Sequence, residues 1–86
     1  MKTAARISTI ADLSNGEAFM VKNISIPREV GKRLADMGFT QGAEGHVVRC
    51  ALLGDPIQVK IRGYDISIRL SEAEGIEVER ASSGGM

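Results

Sequence analysis

Ile57-Gln58-Val59-Lys60-Ile61-Arg62-Gly63-Tyr64-Asp65-Ile66-Ser67-Ile68-Arg69-Leu70 carries the plainest structural signal in the chain. Apolar residues occupy every second position on both sides of Gly63-Tyr64, with polar or charged residues between them. Period two of this kind marks strands with one buried face. Two such runs about a glycine-led pair predict a hairpin, closed by a type II′ turn with Gly63 at positive φ and Tyr64 beside it. That closure sets Ile61 opposite Ile66, Val59 opposite Ile68, Ile57 opposite Leu70, and Arg62 facing Asp65. All the apolar side chains then share one face, which a one-residue slip would destroy.

Working outward, Glu44 to Ala51 reads as a preceding strand, joined to the hairpin by Leu52-Leu53-Gly54-Asp55-Pro56. Gly54 and Pro56 mark a turn there. Further upstream the period changes to that of a helix. Val30, Leu34 and Met37 fall on one stripe, Pro27 sits at or before the first turn, and Gly38 suits the left-handed C′ position that ends it. Phe39 is then placed to fold back on the helix end, and Gly42 marks the next turn. Glu17 to Ile24 reads as a first strand. Ser8 to Leu13 reads as a helical turn capped by Ser8 and stopped by Asn15-Gly16. Downstream, Ser71-Glu72-Ala73-Glu74 has capping-box spacing for one helical turn, Gly75 ends it, and Ile76 to Glu79 forms a last strand.

The expected fold is therefore mainly β: a small antiparallel barrel of about five strands. One short helix lies between the first and second strands, with helical turns near both ends. Residues 1–79 form the domain and residues 80–86 a Gly/Ser-rich tail expected to fray.

Eighty-six residues suffice for one domain. A domain of this size buries only about 60% of the surface its unfolded chain exposes, which excludes a large enclosed substrate chamber. Eleven basic and eleven acidic side chains cancel, so bulk charge does not drive nucleic-acid binding. One cysteine forms no internal disulfide, and one His with one Cys is too few for a structural zinc site. The longest apolar runs, such as Ala18-Phe19-Met20-Val21, fall far short of the roughly twenty residues of a membrane span. Lys2 and Arg6 are followed by Ser8, Thr9, Asp12, Ser14 and Asn15 rather than an apolar stretch, so no secretory signal is expected. A reducing cytosol is the expected setting.

Residues able to carry chemistry are sparse. His46 is the single histidine, with no acid–base partner at suggestive spacing, and an enzyme is not expected. His46 and Cys50 share a strand face but stand about 13 Å apart, too far to ligate one ion. Glu72, Glu74, Glu77 and Glu79 read as a solvated acidic face. Arg49, Lys60, Arg62 and Arg69 lie on or near the outward face of the central strands. The chain has only Phe19, Phe39 and Tyr64 to interleave with them, a poor platform for stacking bases. No cofactor and no metal site is expected. The Leu52–Pro56 loop is the least ordinary segment, since a plain turn does not carry two leucines. Two readings stand: the leucines plug the barrel end, or Leu52, Leu53 and Asp55 form an exposed tip that meets a partner. In either reading Gly38, Gly42, Gly54, Pro56, Gly63 and Tyr64 serve as turn positions.

Taken in order, Arg33-Leu34-Ala35-Asp36-Met37-Gly38-Phe39 with Gly42, Val47-Val48-Arg49, Leu53-Gly54-Asp55-Pro56, Arg62-Gly63-Tyr64, Ser67-Ile68-Arg69, Glu72-Ala73 and Ile76-Glu77-Val78 resemble the FeoA family of small ferrous iron transport proteins. The stretch from Ile10 to Ile24 fits as well. Members often carry Pro where this chain has Gln41 and Leu52, and the second departure makes the loop tip more apolar. The resemblance implies an SH3-like barrel and a non-catalytic cytosolic accessory of bacterial ferrous iron uptake. It further implies a partner, the membrane ferrous iron permease with its cytosolic GTPase part, which would recruit the protein to the inner face of the membrane. No nucleic acid and no direct membrane insertion is implied, and self-association is left open. The alternatives are an SH3-like adaptor or metal-responsive module with another partner, and a nucleic-acid-binding barrel.

Overall fold

A computed structural model describes residues 7–50 and 54–80. The strands are β1 (Ile7–Thr9), β2 (Ala18–Ile24), β3 (Glu44–Cys50), β4 (Ile57–Ile61), β5 (Tyr64–Ile68) and β6 (Ile76–Arg80). Helix α1 (Arg28–Asp36) lies between β2 and β3, and the single turn α2 (Leu70–Ala73) between β5 and β6. The six strands make one antiparallel sheet in the order β1-β6-β2-β3-β4-β5. It curls on itself without hydrogen bonding between its edge strands, β1 and β5. No described helix is long and apolar enough to cross a membrane.

The sixth strand lies where the sequence predicts a helical turn beginning at Ser8. Ile7–Thr9 instead pairs with β6, Ser8 standing opposite Val78, and a 3₁₀ turn starts only at Ile10. Three residues are too few to show a period, so pairing with a distant strand decides their conformation. Thr9 rather than Ser8 precedes the turn, its N–H donating to Asp12 Oδ2 at 2.9 Å. At the other end Arg80, expected to begin the tail, is the last residue of β6.

The hairpin forms with its apolar face as expected but in a different register. The turn residues are Arg62 (φ 51°) and Gly63 (φ 85°), a pair of positive φ values that marks type I′ rather than II′. Ile61 stands opposite Tyr64, Val59 opposite Ile66 and Ile57 opposite Ile68. Tyr64 is therefore the first residue of β5, not a turn residue, and Leu70 belongs to α2. Asp65 faces Lys60, with Nζ–Oδ1 at 3.5 Å, instead of Arg62. The displacement is two residues, which keeps every side chain on its face, so periodicity alone does not distinguish the two registers.

Strand β3 departs from strict alternation. Val47 pairs with Val59 and Arg49 with Gln58, leaving Val48 as the extra residue of a β-bulge and partly exposed. A second irregularity in β2 falls between Val21 and Asn23.

The core is apolar throughout, with no buried polar or charged side chain among the described residues. Phe19 and Val21 from β2, Val47 from β3, Ile57, Val59 and Ile61 from β4, Ile66 and Ile68 from β5, and Ile76 and Val78 from β6 fill it. Ile10, Leu13, Leu34, Phe39 and Ala73 close it off. Phe39 reaches the core because α1 ends in a Schellman motif. Gly38 adopts φ 101° and donates to Ala35 O at 3.0 Å, while Phe39 N–H donates back to Leu34 O at 2.9 Å. The Phe39 ring then stacks on Phe19, centroids 6.3 Å apart. Arg33 Nη2 lies 4.0 Å from Glu72 Oε2, and Gly38 abuts the Arg62 side chain. These contacts tie α1 to the segments at both ends of β5.

Candidate functional site

The connection between β3 and β4 holds the residues expected to meet a partner. Leu52 and Leu53 lie outside the described residues. Gly54 has φ 79° and the Asp55–Pro56 peptide is cis. Both Asp55 and Pro56 are exposed. One carboxylate oxygen of Asp55, Oδ1, accepts the Leu70 N–H at 3.0 Å. Asp55 is thus held against the start of α2 rather than within its own turn. Glu72 Oε1 accepts the Arg69 N–H at 3.2 Å, so the helical turn is capped at Arg69, two residues before the capping box expected at Ser71. Asp55 and Glu72 together satisfy two backbone donors that a helix start leaves free. A shallow pocket of about 410 Å³ opens beside the loop, lined by Asp55, Pro56, Ser67 and Arg69.

The other turn positions separate by conformation. Gly38, Gly42, Gly54 and Gly63 all have positive φ. Gly42 donates to Val21 O at 2.7 Å, holding the approach to β3 against β2.

Several charged side chains pair across the outer surface. Lys22 meets Glu79 at 3.7 Å, Lys60 meets Asp65 at 3.5 Å and Arg80 Nε meets Glu17 at 3.2 Å. Such exposed pairs contribute little to stability, about 0–1 kcal/mol each. Of the basic row Arg49, Lys60, Arg62 and Arg69, Lys60 alone is paired among the described residues, with Asp65. Phe19 and Phe39 are buried, leaving Tyr64 as the aromatic ring presented to solvent.

His46 is exposed on β3, while Cys50 is half-buried with its N–H donating to Asn15 Oδ1 at 3.1 Å. Among the described residues, no group of three or more His, Cys, Asp or Glu side chains is placed to hold a metal ion. A groove of about 500 Å³ crosses the outer face of β6, β2 and β3, lined by Met20, Glu44, His46 and Glu79 among others. Sequence reading missed it because its walls come from three separated segments. Met20 stands opposite both Glu79 and Glu44 only once the order β6-β2-β3 is known.

The FeoA domain matches residues 8–80. A "Fe(2+) transport protein A/Fe(2+) transporter FeoB fusion protein" of Porphyromonas gingivalis is 35% identical over 74 residues. That match covers 86% of this chain, and the chain spans 9% of the length of that relative. Among solved structures, the FeoA protein of Chlorobium tepidum superposes with a TM-score of 0.85 at 35% identity, covering 91% of this chain and 74% of that one. A zinc complex of Stenotrophomonas maltophilia FeoA, described as a prokaryotic SH3 domain protein, gives a TM-score of 0.70 at 24% identity over 84% of this chain and 89% of that one. The second likeness speaks to the fold alone, which is SH3-like.

Proposed function

The chain belongs to the FeoA family, and on that premise we propose that it is a non-catalytic accessory of ferrous iron uptake, acting by contact with an FeoB-type transporter. The observation that supports this reading is the relative in which an FeoA-like segment and an FeoB transporter share one polypeptide. Covalent joining holds two modules at high effective concentration, an arrangement that is useful when the separate modules work against one another. The protein would then act at the cytosolic side of the membrane, on the transporter's GTPase part. Iron is the transporter's cargo in this reading, and the described residues assemble no ligand cluster to retain it.

The Leu52–Pro56 loop is the contact we assign to this role. Asp55, pinned to Leu70, and Pro56 limit the freedom of the described end of the loop, which lowers the entropic cost of a contact there. The test joins uptake and association. Deleting the gene should lower ferrous iron uptake, and the purified protein should retain the solubilised transporter of the same organism on a column. Leu52→Ser should leave melting near wild type while weakening that retention. Unchanged uptake with no retention would overturn the reading. A large loss of stability in Leu52→Ser would assign the leucine to plugging the barrel instead.

A further inference from the structure

Arg62 is the one non-glycine residue with positive φ among the described residues. Asn, Asp or Gly would occupy this type I′ position without comparable strain, because an arginine side chain offers the left-handed backbone no local hydrogen bond. The side chain is nonetheless held in place. A Cβ on Gly38 would lie 2.6 Å from Arg62 Cδ and 3.3 Å from its Cβ and Cγ, so the aliphatic stem fills the space that glycine leaves at the end of α1. The residue as a whole remains exposed and makes no ion pair with a described residue. Lys22, Arg33, Lys60 and Arg80 do each make one, whereas Arg28, Lys32, Arg49 and Arg69 are unpaired among the described residues like Arg62 but lack its positive φ. The carboxylate nearest in sequence, Asp65, is turned to Lys60. Two residues on, Tyr64 is 55% exposed, the most exposed large apolar side chain described.

We propose that the β4–β5 turn is a docking lip, with Arg62 and Tyr64 as anchors, for an acidic segment of the partner polypeptide. Arginine and tyrosine dominate binding energy at protein interfaces, and both lose little freedom when already positioned. The uncompensated charge of the lip is positive, and a guanidinium fork donates two parallel hydrogen bonds to a carboxylate. The Tyr64 ring covers an apolar neighbour of that carboxylate, its hydroxyl remaining free to bond the partner's backbone. Strain at a residue whose stem is packed but whose charge is unused points to binding rather than to folding. The proposal rests on the reading that this protein contacts an FeoB-type transporter. It concerns a separate surface, since the turn and the Gly54–Pro56 loop lie at opposite ends of β4.

Tyr64 is the chain's only tyrosine, so growth with 3-fluorotyrosine places one fluorine label on the lip. The labelled full chain is titrated with the detergent-solubilised transporter, with column retention measured in parallel. The fluorine resonance should shift or broaden on binding. Arg62→Asn should weaken binding about tenfold while melting at the wild-type temperature or up to about 4 °C above it. Wild-type affinity should fall towards that of the variant between about 0.05 and about 0.5 M NaCl. Retention with an unmoved resonance would overturn the lip and leave the transporter reading standing. A variant that binds normally, or one that melts several degrees lower, would likewise overturn it, as would salt-independent binding. Absence of any association would overturn both.

Discussion

Replacing Gly75 by alanine isolates one cause of destabilisation from another that glycine substitutions usually mix. Gly75 does not lie at positive φ, so its backbone suits any residue, but its surroundings do not. A Cβ there would stand 2.5 Å from Ser25 O and 2.7 Å from Ile26 Cγ2. The Ser25 carbonyl would have to retreat by about 1 Å to reach ordinary contact. That movement pulls on the Ser25 N–H, which donates to Gly75 O at 2.7 Å and holds the end of β2 against the start of β6. Overpacking of this kind costs about 1–3 kcal/mol, offset by about 0.4–1 kcal/mol from the stiffer unfolded chain. Gly63→Ala is the complementary case, with φ 85° and nothing within 4 Å of the added carbon. Its left-handed strain of about 1–2 kcal/mol and the same unfolded-state gain leave a net loss near 1 kcal/mol. Urea unfolding of both variants against wild type is the assay, with midpoints compared at a common slope. Gly75→Ala should be the less stable of the two by about 0.5 kcal/mol. Gly75→Ala within about 0.3 kcal/mol of wild type would refute the close approach of β2 and β6 at this point.

Asp55→Ala should cost about 0.5–2 kcal/mol by freeing the Leu70 N–H, measured by thermal melting, with Asp55→Asn recovering part of the loss because the amide oxygen still accepts. After dialysis against chelator-free buffer, metal analysis should find well under one equivalent of iron or zinc per chain, since no cluster of ligands is assembled among the described residues. One equivalent retained would refute that expectation.

How much of this protein its sequence displays depends on how local each feature is. Helix α1 was legible at both ends because Pro27 and Gly38 act through their own backbone angles, and Phe39 follows directly from the cap. The apolar face of the hairpin was legible because alternation from Ile57 to Ile68 is a property of each strand alone. The sheet register was not. Gly63-Tyr64 and Arg62-Gly63 both offer a two-residue turn, and the second demands an arginine in a conformation that sequence statistics disfavour. Its side chain finds support on Gly38, twenty-four residues earlier, which no local pattern announces. The cap of α2 shows the same effect. Ser71-Glu72-Ala73-Glu74 matches a capping box, yet the turn starts at Leu70 because Asp55 supplies an acceptor from another part of the chain.

The candidate site divides in the same way. The unusual character of Leu52-Leu53-Gly54-Asp55-Pro56 was visible from composition, as was the family resemblance carried by the motifs around it. Tyr64 was misplaced by the register, and with it the exposed lip beside Arg62 went unseen. By itself, the sequence determined the strand-rich class, the helix with both its ends, and the parity of every core residue in β4 and β5, because backbone preference and side-chain alternation are set over a few neighbouring residues. Tertiary structure decided the pairing of β1 with β6, the bulge at Val48, the two-residue displacement of the hairpin and the pinning of Asp55. Each of those is settled by atoms brought together from distant segments, where the gain from a contact outweighs a local preference of about 1 kcal/mol.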